Sequence, residues 1–297
     1  MSIQVLVPLL ITLCTAGCDE PPRREDSAGG EICRIAEPFR ALPPEARETS
    51  GLVVSSHDAA VLWTHNDRGN EPVLFSVGTD GRLRSRTAVA GARLIDWEDV
   101  ERSACAGGQC IYIGDIGDND AARGGITIYE VPEPRPGASV TAPARALHAR
   151  YPDGSHNAEA LFAVPGRGLY IVTKGDRGRI SLYRHPGAAS GDSVVTLELV
   201  RYLRLPGGQS ERVTAATASD DGAWVAIRTY TLLHFFPARA LLGGGEAVAL
   251  TFDLRPLGEP QGEGLALGAD GSVWLSSEAG DDGPPRLTRL ICTLPPG

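Results

Sequence analysis

Five times along the 297-residue chain a small or polar residue leads into a short apolar run, and this recurrence constrains the fold more than any other feature. The starts are residues 48–52, 96–100, 157–161, 212–216 and 261–265. If Ser50, Glu98, Glu159, Thr214 and Glu263 are equivalent, the repeat averages about 53 residues, the chain that four short strands and their turns require. Each start is followed by a second strand-like run, at 61–64, 111–114, 169–173, 224–228 and 273–277. A third run with period-2 alternation comes next, as at 73–77, 126–130 and 180–184. Asp-Gly pairs at 80–81, 221–222 and 270–271 mark tight hairpins. No helix-length periodic segment competes, and 36 Gly with 22 Pro suit many turns between short elements.

These units predict an all-β chain folded as a β-propeller of five blades. The last unit runs out after its third strand, near residues 286–294, so its fourth strand must come from elsewhere. Residues 31–42, which precede the first repeat, are the spare, and pairing them there closes the ring. A six-bladed ring with one irregular unit and a non-propeller β fold are the alternatives.

The first 17 residues are apolar and uncharged and end in small residues, as an export signal does. Thr15-Ala16-Gly17-Cys18 resembles the bacterial lipobox, in which the Cys receives the lipid; a plain secretory leader is the alternative. Residues 18–30, rich in Pro, Gly and charge, read as a flexible tether, and 31–297 as one propeller domain. The address implied is the cell envelope, anchored in a membrane on its periplasmic or surface side. Setting aside Cys14 and Cys18 leaves four cysteines for an oxidising compartment. Cys105 and Cys110 bracket a turn between strand-like runs. Cys33 and Cys292 remain, closing a loop of about 260 residues worth on the order of 5 kcal/mol as an upper figure.

The phrases Trp63-Thr64-His65-Asn66-Asp67, Asp96-Trp97-Glu98-Asp99, residues 114–119 and residues 157–161 resemble those of secreted bacterial β-propeller lipoproteins of unassigned chemistry. That group is loosely similar to phytase-like and gluconolactonase-like (SMP-thirty type) calcium propellers. The resemblance covers about residues 45–295 and identifies architecture better than activity. It implies a metal in the central channel held by Glu, amide and Asp oxygens, a set that does not map here position by position.

In a propeller the innermost strand begins, and the second strand ends, at the same mouth of the central channel. The first ring offers Glu98, Glu159 and Glu263, with Ser50 and Thr214 in the other units. The second offers Asn66, Asp115, Lys174, Arg228 and Glu278, so five carboxylates meet two cations. Ca²⁺ suits such an oxygen-rich site, and Glu98, Glu159 and Glu263 are its expected ligands. Asp115, Asp118 and Asn119 form a second candidate set in the 114–120 loop. Asn66, Lys174, Arg228 and Glu278 are candidate ligand-binding residues, and His65 and His156 candidate general bases. The four tryptophans sit at strand positions and read as blade packing.

A net charge of −9, with no basic run interleaved with aromatics, argues against a nucleic-acid partner. There is no G-x-S-x-G, H-E-x-x-H, P-loop or paired C-x-x-C. The function expected is a monomeric binding or scaffold module presenting an acidic mouth to a small ligand or an envelope protein. The alternative is a Ca²⁺-dependent hydrolase of a lactone or phosphoester. Replacing Cys18 by Ala should move the protein from the membrane to the soluble fraction of cell extracts; retention in the membrane would remove the lipid anchor.

Overall fold

The computed structural model describes Met1 and residues 32–295, except 188–192, 209–210, 245–246, 248 and 282. The predicted leader and tether therefore lie outside the described residues. Ile32–Gly297 forms one compact unit.

The unit is built of five sheets in chain order. Blade 1 contains β2 (Thr49–Val54), β3 (Val61–Asn66), β4 (Val73–Gly78) and β5 (Leu83–Ala88). Blade 2 contains β6 (Trp97–Cys105), β7 (Gly108–Asp115), β8 (Ile126–Pro132) and β9 (Arg145–Arg150). Blade 3 follows with β10 (Ala158–Val164), β11 (Gly168–Thr173), β12 (Ile180–Arg184) and β14 (Glu198–Leu203). On the way to β14 the chain adds β13 (Val195–Thr196) as a fifth, parallel strand to the rim of blade 2. Blade 4 contains β15 (Val213–Ala218), β16 (Trp224–Thr229), β17 (Leu232–Pro237) and β18 (Leu250–Asp253), with the five-residue helix α1 (Ala238–Leu242) after β17. Blade 5 contains β19 (Gly262–Leu267), β20 (Ser272–Ser277) and β21 (Arg286–Cys292), and β1 (Cys33–Ala41) is its fourth strand.

The chain is thus the expected five-bladed propeller, with its first strand completing its last blade. The register of β1 on β21 sets Cys33 opposite Cys292, and the two are joined by a disulfide. A second disulfide ties Cys105 to Cys110 across the β6–β7 hairpin.

Strand alternation explains why this ring forms. Along β7, Ile111 and Ile113 pack against blade 1 while Cys110 and Tyr112 pack against blade 3. Along β16, Val225 and Ile227 face blade 3 while Trp224 and Ala226 face blade 5. β3 and β20 divide in the same way, with Leu62 and Trp274 meeting between blades 1 and 5 and Trp63 turned to blade 2. Both faces of each inner strand are therefore apolar, the runs read as almost continuous hydrophobic stretches, and all four tryptophans are buried between blades.

At the axis the innermost strands β2, β6, β10, β15 and β19 approach so closely that side chains are excluded at some points. A Cβ on Gly51 of β2 would fall on the backbone of Asp99 and Val100 in β6, and one on Gly264 of β19 would lie 2.6 Å from Ser50 O. What fills the centre is polar. Asp99, fully buried, accepts Leu161 N–H of β10 at 2.9 Å and Ala216 N–H of β15 at 3.2 Å, so one carboxylate ties three blades together. Glu101, pushed up to about 7 by burial, accepts Thr217 Oγ1 at 3.1 Å and Ala218 N–H at 3.3 Å.

Gly51→Ala should destabilise the fold by about 1–3 kcal/mol through overpacking at the axis. Melting should fall by roughly 2–4 °C per kcal/mol. Gly124→Ala is the control, since no neighbouring atom lies within 4 Å of its Cβ position and its φ lies outside the left-handed region. Equal melting of the Gly51 variant and the parent would refute close packing at the axis.

Candidate functional site

The same irregularity recurs where each innermost strand begins. The pairing of inner on second strand skips Glu98 between Trp97 and Asp99, Glu159 between Ala158 and Ala160, Thr214 between Val213 and Ala215, and Glu263 between Gly262 and Gly264. In blade 1 it shifts between Thr49 and Leu52, where Ser50 sits. The five repeat positions are therefore β-bulges. A bulge re-aims a side chain that the pleat would otherwise lay against a neighbouring blade. Here the ring of bulges gathers Glu98, Glu159 and Glu263 at one mouth, where Ser50 Oγ caps Glu98 O at 2.6 Å.

Further carboxylates join them. Asp67, just after β3, and Asp96, just before β6, place carboxylate oxygens within 4.8 Å of each other and of Glu98. Asp96 is held by its surroundings: its N–H donates to Asp115 Oδ1 at 3.2 Å, and its carbonyl accepts Ile116 and Gly117 N–H at 3.1 Å. A Cβ on Gly117 would collide with the Glu98 and Asp96 carboxyls, so only glycine floors this corner.

The 114–120 loop is thus a scaffold for the mouth. Asp115 pairs with Arg123 at 2.7 Å, while Arg123 also donates to Gly117 O at 2.7 Å. The Asp118 carboxylate accepts Ala122 and Arg123 N–H at 2.9 and 2.8 Å. Asn119 Oδ1 accepts from Asn157 Nδ2 at 3.1 Å. The structure does not bring these three predicted ligands into one cluster with Glu98.

On the other side of the mouth Lys174 Nζ meets Glu159 Oε1 at 3.0 Å, which Asn157 Nδ2 also approaches at 3.1 Å. Glu263 Oε1 accepts Gln261 Nε2 at 2.8 Å. Tyr230 flanks this half, its ring 6.0 Å from Lys174 Nζ. Two carboxylate oxygens of the mouth have no donor among the described residues: Asp96 Oδ1 and Glu263 Oε2, on side chains only 5% and 4% exposed.

The electrostatics follow from burial and crowding. Glu98 is raised well above the usual carboxylate range by desolvation, then by Glu159, Asp67, Asp96 and Glu263, and burial raises Glu159 against the opposing pull of Lys174. Burial and Glu159 push Glu263 up to about 8, burial and Asp67 push Glu278 up to about 7, and burial with Asp67 lifts Asp96 to about 6. Burial alone would depress Lys174, but Glu159, Tyr230 and Glu263 outweigh it and raise it.

The remaining predicted residues lie elsewhere. Arg228, counted in the sequence as a mouth cation, is fully buried between blades 4 and 5. It donates to Gly264 O at 2.7 Å and Ser276 O at 2.9 Å and pairs with Glu259. Its charge is used in joining blades, so the mouth is more acidic than the sequence count suggested. Asn66 links Glu48 N–H and Glu45 O. His65 is enclosed, edge-on to Trp97, hydrogen-bonded to Asn66 O at 3.0 Å and lowered to about 4 by burial. His156 bonds Asp153 and Tyr183 at 3.0 Å and lines a separate cavity of about 290 Å³.

The sequence reading missed Asp67, Asp96, Tyr230 and Gln261 as mouth residues. A signal existed for two of them. Residues two before the bulge share its side of the strand, and positions 96, 157 and 261 are all polar where 98, 159 and 263 are Glu.

No family model matches the sequence, and no curated protein matches it. Solved structures do. The Malassezia sympodialis allergen Mala s 1 superposes with a TM-score of 0.56 at 8% identity, covering 86% of this chain and 96% of its own. The PQQ-bound aldose sugar dehydrogenase of Streptomyces coelicolor gives 0.52 at 11% identity, covering 88% and 98%. A glucose dehydrogenase gives 0.51 at 13% identity, covering 87% and 100%. At such identities the likeness establishes the propeller fold alone, and the resemblance to calcium propellers stands at that level.

The raised carboxyls give a pH dependence. Glu263 moves from an ordinary 4.5 to about 8, so the folded state binds more protons than the unfolded state between those values. Stability is then full below about pH 4.5 and falls as pH rises through about 8. In chelator, the melting temperature should drop between about pH 5 and 8, and Glu263→Gln should flatten that drop. A melting temperature rising across this window would contradict the crowded, desolvated mouth.

Proposed function

We propose that this protein is an envelope-anchored binding module whose acidic mouth holds a divalent cation and through it a small oxygen-rich ligand. The observation that carries the reading is the buried Asp96 Oδ1, which no donor among the described residues satisfies, inside a carboxylate cluster with Asp67 and Glu98. A buried acceptor without a partner costs about 1–3 kcal/mol, more when charged, and a cation relieves it. The donors are all oxygens, on residues at the end of β3, before β6 and in a bulge, an irregular arrangement that suits Ca²⁺ better than octahedral Mg²⁺ or the softer metals that prefer His and Cys. Asp67, Asp96 and Glu98 would hold it. Bound there, the cation supplies a Lewis-acid centre facing solvent through the partly exposed Asp67. Lys174 and Tyr230 border the space a ligand would enter.

The dehydrogenase neighbour carries PQQ, a cofactor with three carboxylates. Six carboxylates at this mouth, Asp67, Asp96, Glu98, Glu159, Glu263 and Glu278, oppose such an anion, so the reading does not extend to a quinoprotein. Hydrolysis of a lactone or phosphoester has one observation in its favour: Glu263, raised to about 8, carries a proton at neutral pH available to a leaving oxygen.

Ca²⁺ at a hundred times its Kd should add about 2.7 kcal/mol and raise the melting temperature by several degrees, with chelator reversing it. Asp96→Asn combined with Glu98→Gln should abolish the response. Identical melting in Ca²⁺ and chelator would end the cation reading, and turnover of a lactone or phosphoester by the Ca²⁺-loaded protein would favour the hydrolase.

A further inference from the structure

Beside the mouth, on blade 3, lies a cavity of about 290 Å³. Its walls come from three places: Asp153, His156 and Asn157 between β9 and β10, Asp176, Arg177 and Arg179 between β11 and β12, and Tyr202 of β14. Asn157 divides it from the mouth, its Nδ2 standing 3.1 Å from Glu159 Oε1 on one side and 3.4 Å from Asp176 Oδ2 on the other.

One wall is already satisfied. Tyr183 donates its hydroxyl to Asp153 Oδ1 and Oδ2 at 2.9 and 3.0 Å, and His156 Nε2 lies 3.0 Å from Asp153 Oδ1. The opposite wall has donors to spare. Arg179 stacks over the Tyr202 ring, 4.8 Å from its centroid, a contact that holds the guanidinium plane and spends none of its N–H groups. Arg177 gives one N–H to Asn119 O at 2.5 Å. Neither forms an ion pair with a described residue. The larger cavity of about 660 Å³, where β2 and β19 end, differs in this respect. Its Arg40, Arg102 and Arg289 are already paired with Glu37, Asp220 and Asp270.

We propose that the blade 3 cavity binds a sugar acid, a single sugar ring carrying one carboxylate. Arg177 and Arg179 take the carboxylate, and ring hydroxyls donate to Asp176. The site is independent of the cation reading and needs no metal.

Charge, donor count and size lead to this class together. The guanidinium is a rigid fork that matches a carboxylate, and charge-assisted hydrogen bonds are about twice as strong as neutral ones. An uncharged sugar would leave both arginines without a counter-charge. A bare carboxylate would meet the exposed Asp176 with no donor to offer it. A ring with both groups answers both walls. The cavity lies at the small end of the range of about 300–1,000 Å³ for ligand sites, room for one ring rather than a chain. Tyr202, 45% exposed, adds aromatic surface for the C–H face of the ring.

The test is calorimetric titration of the full mature protein, in chelator at neutral pH, with glucuronate, glucose and acetate as probes. Glucuronate should bind about ten-fold or more tightly than either of the others, as expected of hydrogen bonds between charged groups. Arg179→Gln should bring glucuronate within about two-fold of glucose, with Arg177→Gln lowering the preference by a smaller factor. Both arginines are exposed, so the substitutions leave the core untouched, and melting curves confirm that each variant is folded. Asp96→Asn combined with Glu98→Gln should leave glucuronate binding unchanged. Equal binding of glucuronate and glucose, no binding of any probe, acetate binding as tightly as glucuronate, or a preference that survives the double change of Arg177 and Arg179 to Gln would overturn the sugar-acid site. Loss of glucuronate binding in the Asp96 and Glu98 variant would place the ligand at the mouth and overturn it equally. The Ca²⁺ melting shift is read separately, so each of these outcomes leaves the cation reading to its own test.

Discussion

Closing five sheets around one axis brings five innermost strands into mutual contact, and most of what distinguishes this molecule follows from that crowding. There is room for glycine but not for a side chain where β2 meets β6 and where β19 meets β2. Buried carboxyls take the space that is left at the centre, and Asp99 does so by accepting backbone N–H groups from two other blades. A buried, unpaired carboxylate is costly, and this one is tolerated because three N–H donors, including that of Val100, surround it. The axis is thereby fixed by hydrogen bonds rather than by apolar packing, which is confined to the five interfaces between blades.

The crowding also makes the mouth. Strands that converge cannot all keep a regular pleat, and each takes up the misfit as a bulge at the same position. The bulges turn one side chain per blade towards the axis. Three of the five are Glu, and Asp67, Asp96 and Glu278 stand around them. Their mutual repulsion and desolvation raise their proton affinities, so the bare site works against the stability of the fold. Proteins keep such arrangements where binding relieves them, and the donorless oxygens of Asp96 and Glu263 show where the relief is needed.

Much of the fold was legible because it is written in local terms. A repeat of fixed length, hairpin turns and runs apolar on both faces are properties of neighbouring residues, and they gave the all-β class, the blade number and the borrowed strand. The disulfide pairing followed once that strand had a partner. The parallel strand β13 left no such trace, since two residues against β9 carry no periodicity of their own.

The candidate site was legible only in part. The sequence by itself determined which position of each repeat faces the mouth, because equivalence between repeats needs no coordinates, and so it found Glu98, Glu159, Glu263, Lys174 and Glu278. Tertiary structure alone decided what those residues meet. Arg228 and Asp115 look like mouth charges in the sequence, yet each is neutralised by a group distant in the chain or across a turn, Glu259 and Arg123. Asp67 and Asp96 belong to different blades and join Glu98 only because β2 and β6 pack at the axis. Charge pairing and ligand convergence depend on distances through space between residues far apart in sequence, and one-dimensional order does not carry them until the ring has closed.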